Sequence, residues 1–150
     1  MQETLIKVLN SNFQELLENG IKIKCFFVTE MMKSKDKLVM AKISTANDRV
    51  KILTAEEINE GYDYIIDVDK HAWEYADEDV RKKMLRHELR HVKIYPSKDG
   101  TIKCGLRGHD FEDFEIEIEL NKDDPNWASK LALIVESQYD MEKESKKAIR

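Results

Sequence analysis

Residues 77–92 run without glycine or proline, and inside them His87-Glu88-Leu89-Arg90-His91 sets two histidines four positions apart. A helix rises about 6 Å over four residues, so both imidazoles leave one face and can close on a single ion. Glu88 then stands about 100° round the axis, where a carboxylate can reach a water on that ion without being a ligand itself. Asp77 suits an N-cap, and Glu78 and Asp79 suit the positive end of the helix dipole, so the spacing predicts a helix from there to Val92. Val80, Met84, His87 and His91 fall on one stripe, flanked by Leu85, Glu88 and Val92, while Arg81, Lys82, Lys83, Arg86 and Arg90 are expected to take the solvent. Two bare imidazoles on an apolar stripe would need other hydrogen-bond partners and would cost stability when charged. A metal, with Zn2+ as the ion this motif serves, accounts for them more simply.

A catalytic zinc takes three protein ligands and keeps one position for water. The metzincin pattern would need Gly and His three and six residues beyond His91, where this chain has Ile94 and Ser97, so that class is excluded. Val92 to Tyr95 and Thr101 to Cys104 are short β-prone runs around Pro96-Ser97-Lys98-Asp99-Gly100, which predicts a hairpin. Such a hairpin returns the chain toward His91 and delivers Gly105 to Phe114, with His109 the remaining downstream histidine. His109 is therefore the expected third ligand, with Glu112 and Asp113 as competing acids. Asp110 is a candidate partner for a ligand imidazole, and Tyr95 and Arg107 are candidates for stabilising an oxyanion. His71 is expected to be a surface residue.

The remainder reads as an α+β chain. Residues 2–18 pattern as an amphipathic helix through Leu5, Leu9, Phe13, Leu16 and Leu17, stopped by Asn19-Gly20. Strands are expected at 21–29, 37–44 and 62–68, and a short helix opened by the Thr54-Ala55-Glu56-Glu57 capping box and closed at Gly61. A helix is chosen for 111–120 because Phe111, Phe114 and Ile118 share a face. Asp124-Pro125 then opens a last helix with Trp127, Leu131 and Ile134 on one side, fraying from Met141 onward. The expectation is one domain, 1–150, with a core of about 20–116 and a helical extension at 122–150. In it a small mixed or antiparallel sheet of three or more strands packs on the motif helix, between N- and C-terminal helices. Cys25 and Cys104 form no CxxC pair, so reduced thiols are expected. A net charge of −5 weighs against a dedicated nucleic-acid binder. No apolar run approaches a membrane span and no signal peptide is evident, so a cytoplasmic setting is expected; oligomeric state is open.

Asp63 to Asp69, Trp73, the run Met84 to Val92 and Gly108-His109-Asp110-Phe111-Glu112-Asp113-Phe114 together resemble the putative phage metallopeptidase family, over roughly residues 20–116. More distantly they resemble the SprT-like zincins. The resemblance implies a compact zincin-like fold, zinc on His87, His91 and His109, Glu88 as catalytic acid/base, and a phage or prophage setting in a host cytoplasm. It also implies a protein or peptide substrate, held as an added strand along part of 37–44 or 62–69. Arg90 departs from the small or apolar residue that related motifs carry there. Two other readings stand beside a zinc peptidase: a zinc-stabilised protein-binding factor that has lost turnover, and an accidental motif in a metal-free interaction domain.

Overall fold

The computed structural model describes residues 1–110 and 113–149. In chain order they form α1 (Gln2–Asn12), α2 (Gln14–Glu18), β1 (Ile23–Val28), β2 (Met32–Ser34), β3 (Lys37–Val39), β4 (Ala41–Thr45), α3 (Asp48–Thr54), β5 (Tyr64–Asp69), α4 (Lys70–Tyr75), α5 (Glu78–Arg90), β6 (Val92–Pro96), β7 (Ile102–Leu106), α6 (Glu115–Leu120) and α7 (Trp127–Ile149). The architecture is α+β, with helices at both ends and a small mixed sheet ordered β1-β5-β4. β5 runs parallel to β1 and antiparallel to β4, with Ile66 opposite both Cys25 and Ile43. No described helix is long and apolar enough to cross a membrane.

Alternation along the strands sets the core. Tyr64, Ile66 and Val68 are fully buried, and Ile23, Cys25 and Ile43 beside them point to the same face. Against that face lie Met84, Leu85 and Leu89 of α5 and Leu5, Val8 and Leu9 of α1. Val92 to Pro96 and Ile102 to Leu106 pair as the expected hairpin, and the Tyr64 hydroxyl donates to the carbonyls of Lys93 and Gly105, tying the central strand to it.

Several boundaries differ from the sequence reading. The N-terminal helix breaks at Phe13 (φ −136°, ψ 44°), which turns both Phe13 and Leu16 into the core. The expected strand at 37–44 divides into β3 and β4, and β2 and β3 form a separate hairpin through Lys35 and Asp36, both at positive φ. That turn lacks the Asn-Gly or Asp-Gly signature by which such turns are read. Thr54 does not open a helix; it ends one. Its hydroxyl donates back to the Val50 carbonyl and accepts from the Tyr62 amide, and the real cap is Asn47, whose side chain accepts from the Val50 amide. Asp69 caps an unanticipated α4 by accepting from the Ala72 amide.

The last helix buries Trp127, Leu131 and Val135, leaves Ile134 exposed, and continues to Ile149 where fraying was expected. His71 is half-buried rather than a free surface residue, pairing with Glu142 at 2.6 Å and packing on the Tyr139 ring. The helix expected at 111–120 begins at Glu115; Phe111 and Glu112 lie outside the described residues. Within it Ile118 is exposed and Glu117 is buried, the reverse of the apolar pattern.

Candidate metal centre

Helix α5 delivers the first two histidines. Asp77 caps it by accepting from the Val80 amide, and it ends one turn after His87. His91 is the cap residue, still right-handed (φ −71°, ψ −20°), because Val92 must already pair with Leu106 in the hairpin. The hairpin is closed at its base by the Arg107 amide, which donates to the His91 carbonyl at 2.7 Å. The chain leaving β7 is thus held against the end of α5, and His109 follows two residues later. Side-chain nitrogens of His87, His91 and His109 all lie within 4.8 Å of one another.

Each helix histidine has one ring nitrogen already engaged. His87 Nδ1 is 2.8 Å from Asp113 Oδ1, and His91 Nδ1 is 2.7 Å from the Arg107 carbonyl. Both partners are acceptors, so Nδ1 carries the proton in each ring and Nε2 is left with a lone pair. Burial holds the His87 and His91 pKa values below the ordinary histidine range, and the neighbouring histidines add to the effect. Asp113 and the Arg107 carbonyl pull the other way. Neutral imidazoles with Nε2 free are the form that ligates a metal.

His87 Nε2 lies 3.0 Å from His109 Nε2. Ligand nitrogens around a tetrahedral zinc stand about 3.3 Å apart, given zinc–nitrogen bonds of about 2 Å. Two ring nitrogens at that separation need a proton or a cation between them. The donor set therefore fits a metal, and among the described residues the group comprises these three histidines.

Phe114, fully buried, floors the cluster: its ring centre lies 5.3 Å from that of His87, 4.8 Å from His91 and 5.1 Å from His109. Glu88 points to the sheet side of α5, where its Oε2 accepts from the Ile43 amide of β4 at 3.0 Å. Burial pushes its carboxyl up to about 8, against the smaller opposing effect of that hydrogen bond. A carboxylate poised near neutral pH is suited to taking and returning a proton, and a cation nearby would favour its charged form.

The remaining candidates fall into different places. Asp110 does not meet an imidazole. Its carboxylate accepts from the Arg107 guanidinium at 3.0 Å and from the Glu115 amide at 3.1 Å, while Asp113 takes the place beside His87. Arg107 is also committed, with Nε donating to the Arg90 carbonyl at 2.9 Å and its guanidinium stacked on Phe114 at 4.5 Å. Tyr95 sits at the far end of β6, exposed, its ring against Gly105 and near the Lys93 ammonium. Glu112 lies outside the described residues. Of the two segments offered as a peptide-binding edge, 62–69 contains the central strand β5, which is paired on both sides; β4, which overlaps 37–44, is an edge strand.

The basic residues of α5 are not solvated as expected. Lys83 is buried between Asp79 and Asp123, Arg81 lies over Trp73, and Arg86 and Arg90 both pair with the buried Glu117. Arg90 also lies over the Phe13 ring at 4.4 Å, which gives its long cation a place at this position. Sequence reasoning missed Phe114, Glu117 and the Ile43 amide. Glu117 is one of three glutamates alternating with apolar residues over 115–120, and its signal is its spacing from Asp113 and Asn121 on one helical stripe.

No curated protein and no solved structure matches the chain. A family match spans residues 2–139, well beyond the stretch 20–116 over which the motifs carry the resemblance. On that match the chain belongs to the putative phage metallopeptidase family.

Proposed function

We propose that this chain is a zinc-dependent peptidase that cleaves protein or peptide substrates, encoded by a phage or prophage and working in the host cytoplasm. In this reading His87, His91 and His109 hold the zinc and Glu88 is the general base and acid. The observation that carries it is the convergence of three imidazoles, two of them fixed by acceptors on Nδ1 so that Nε2 is presented inward. Bound there, zinc supplies Lewis-acid polarisation and a water that ionises near neutral pH.

The chain's own groups do the rest. Asp113 and the Arg107 carbonyl hold the tautomer and aim of His87 and His91. Glu88 takes the proton of the attacking water and returns it to the leaving amine, and the Ile43 amide keeps its carboxylate oriented between turns. Substrate lies extended along the outer edge of β4, beside the point where Glu88 takes the Ile43 amide. Among the described residues three histidines converge, and a set of three favours turnover over a structural role, since structural zinc sites close with four protein ligands.

The test pairs metal content with hydrolysis. Protein purified without chelator is expected to carry one zinc per chain, and His87→Ala and His109→Ala to lose it. Glu88→Gln is expected to retain zinc while new amino termini from a denatured-protein substrate pool fall by about 10²–10⁴-fold. Wild type that binds no metal sinks the proposal; Glu88→Gln that cleaves at the wild-type rate removes Glu88 from its role.

A further inference from the structure

Glu117 is the least expected charge in the molecule. It has no exposed surface, yet it lies on a six-residue helix whose other residues are exposed. Its two oxygens are divided between two arginines one turn apart on α5: Oε2 is 2.8 Å from Arg86 Nε and Oε1 is 3.0 Å from Arg90 Nε. The Arg86 guanidinium also donates to the Asn121 side chain, and Asn121 is itself buried. Lys83 meets Asp123 one step further along. Lys83, Arg86 and Arg90 ascend α5 as Asp123, Asn121 and Glu117 descend, so the α6 segment is fastened alongside the motif helix through directional, charge-assisted bonds.

A helix this short has little stability of its own. What it seats by that fastening is the metal centre. Four residues before Glu117, Asp113 holds His87 Nδ1, and three before it, Phe114 floors all three imidazoles. The α6 amino end is also tied to the loop that carries the third histidine, because Asp110, next to His109, accepts from the Glu115 amide. His91 shares the Phe114 floor but takes its Nδ1 acceptor from outside this segment, at the Arg107 carbonyl. Arg86 and Arg90 immediately precede His87 and His91 in sequence, so one carboxylate locks the helix that carries two histidines to the segment that orients one of them and anchors the third.

We infer that Glu117 is a positioning residue for the metal centre: by pairing with Arg86 and Arg90 it seats Asp113 on His87 and steadies the loop bearing His109. This rests on the zinc reading above. An apolar side chain could fill the same space, but it would not fix α6 in one rotational setting as two guanidiniums at fixed distances do.

The experiment compares wild type, Glu117→Gln, Arg90→Lys and Tyr139→Phe, the last removing a hydrogen bond to Asp69, a residue outside the group of His87, His91 and His109 and their partners. Zinc affinity is read by chelator competition on folded protein. The proton on His87 Nδ1 is followed by NMR in metal-free protein. Glu117→Gln is expected to bind zinc about 10–100-fold more weakly and to lose the protected His87 Nδ1 proton signal. Arg90→Lys, which keeps the charge but not the Nε donor, is expected to show the same changes in smaller degree and serves in place of Glu117→Gln should that variant not fold. Tyr139→Phe is expected to match wild type in both. Wild-type zinc affinity together with an intact Nδ1 signal in Glu117→Gln, or in Arg90→Lys standing in for it, overturns the inference. A wild type that takes up no zinc overturns the zinc reading, while the metal-free Nδ1 signal still decides whether Glu117 governs Asp113.

Discussion

Gly61 and Cys25 show how single positions are fixed by their surroundings rather than by their type. Gly61 sits at φ +75°, and a Cβ there would lie 2.3 Å from the Lys51 carbonyl oxygen, in the turn that brings α3 back to β5. Gly61→Ala is expected to cost more than about 2 kcal/mol, the left-handed penalty of about 1–2 kcal/mol plus the clash, read as a fall in the urea midpoint. A midpoint within error of wild type would refute that account. Cys25 faces the core from β1, and burial pushes its thiol up to about 12. A raised thiol pKa means the reactive thiolate is withheld until the pH climbs toward that value. At pH 8 folded protein is expected to alkylate at Cys25 roughly 10³-fold more slowly than denatured protein, with the half-buried Cys104 labelled first. Cys25 labelling at the rate of a free thiol would show that the strand opens.

At the scale of elements, what could be read in advance was whatever depended on local pattern. The motif helix, its Asp77 cap and the hairpin behind it follow from periodicity, capping chemistry and turn composition, and those three together bring His109 back to His87 and His91. What could not be read depends on partners distant in sequence. Charges on α5 look like a solvated face until α6 and the 121–123 turn supply Glu117, Asn121 and Asp123. Asp110 and Asp113 are indistinguishable as loop acids, and only the fold decides that Asp113 meets His87 while Asp110 ties Arg107 to α6. The same contrast holds along α7. Leu131 is buried against the core, whereas residues beyond Asp140 are exposed and held by the half-exposed pair His71–Glu142. Leu131→Ala is expected to cost about 2–5 kcal/mol. Truncation after Asp140 is expected to cost less than about 1 kcal/mol, because exposed ion pairs contribute little. Denaturant midpoints for the two variants check the order, and a truncation as costly as Leu131→Ala would place the docking energy in the wrong half of the helix.

Over the whole molecule, stability and the candidate site are coupled through one closed segment. α5 and β5 both place fully buried residues in one core, and the hairpin β6–β7 with the loop to His109 leaves that core at His91 and returns beside it. An ion held by His87, His91 and His109 would join the two ends of that excursion, adding to the hydrogen bonds that the Arg107 amide, carbonyl and Nε already make with His91 and Arg90. A ligand that binds the folded state alone stabilises it by about 2.7 kcal/mol at a hundred times its dissociation constant. Zinc at that excess is expected to raise the unfolding free energy by about this amount, a chelator to return it to the metal-free value, and His109→Ala to abolish the gain. The gain should also be uneven. Hydrogen exchange is expected to slow in β6, β7 and residues 107–110, whose opening the ion opposes, and to change little in β5, already the central strand and protected by the sheet on both sides. Uniform protection across the chain would mean that zinc acts on global unfolding alone, and protection confined to regions away from 92–110 would place the ion somewhere other than the three histidines.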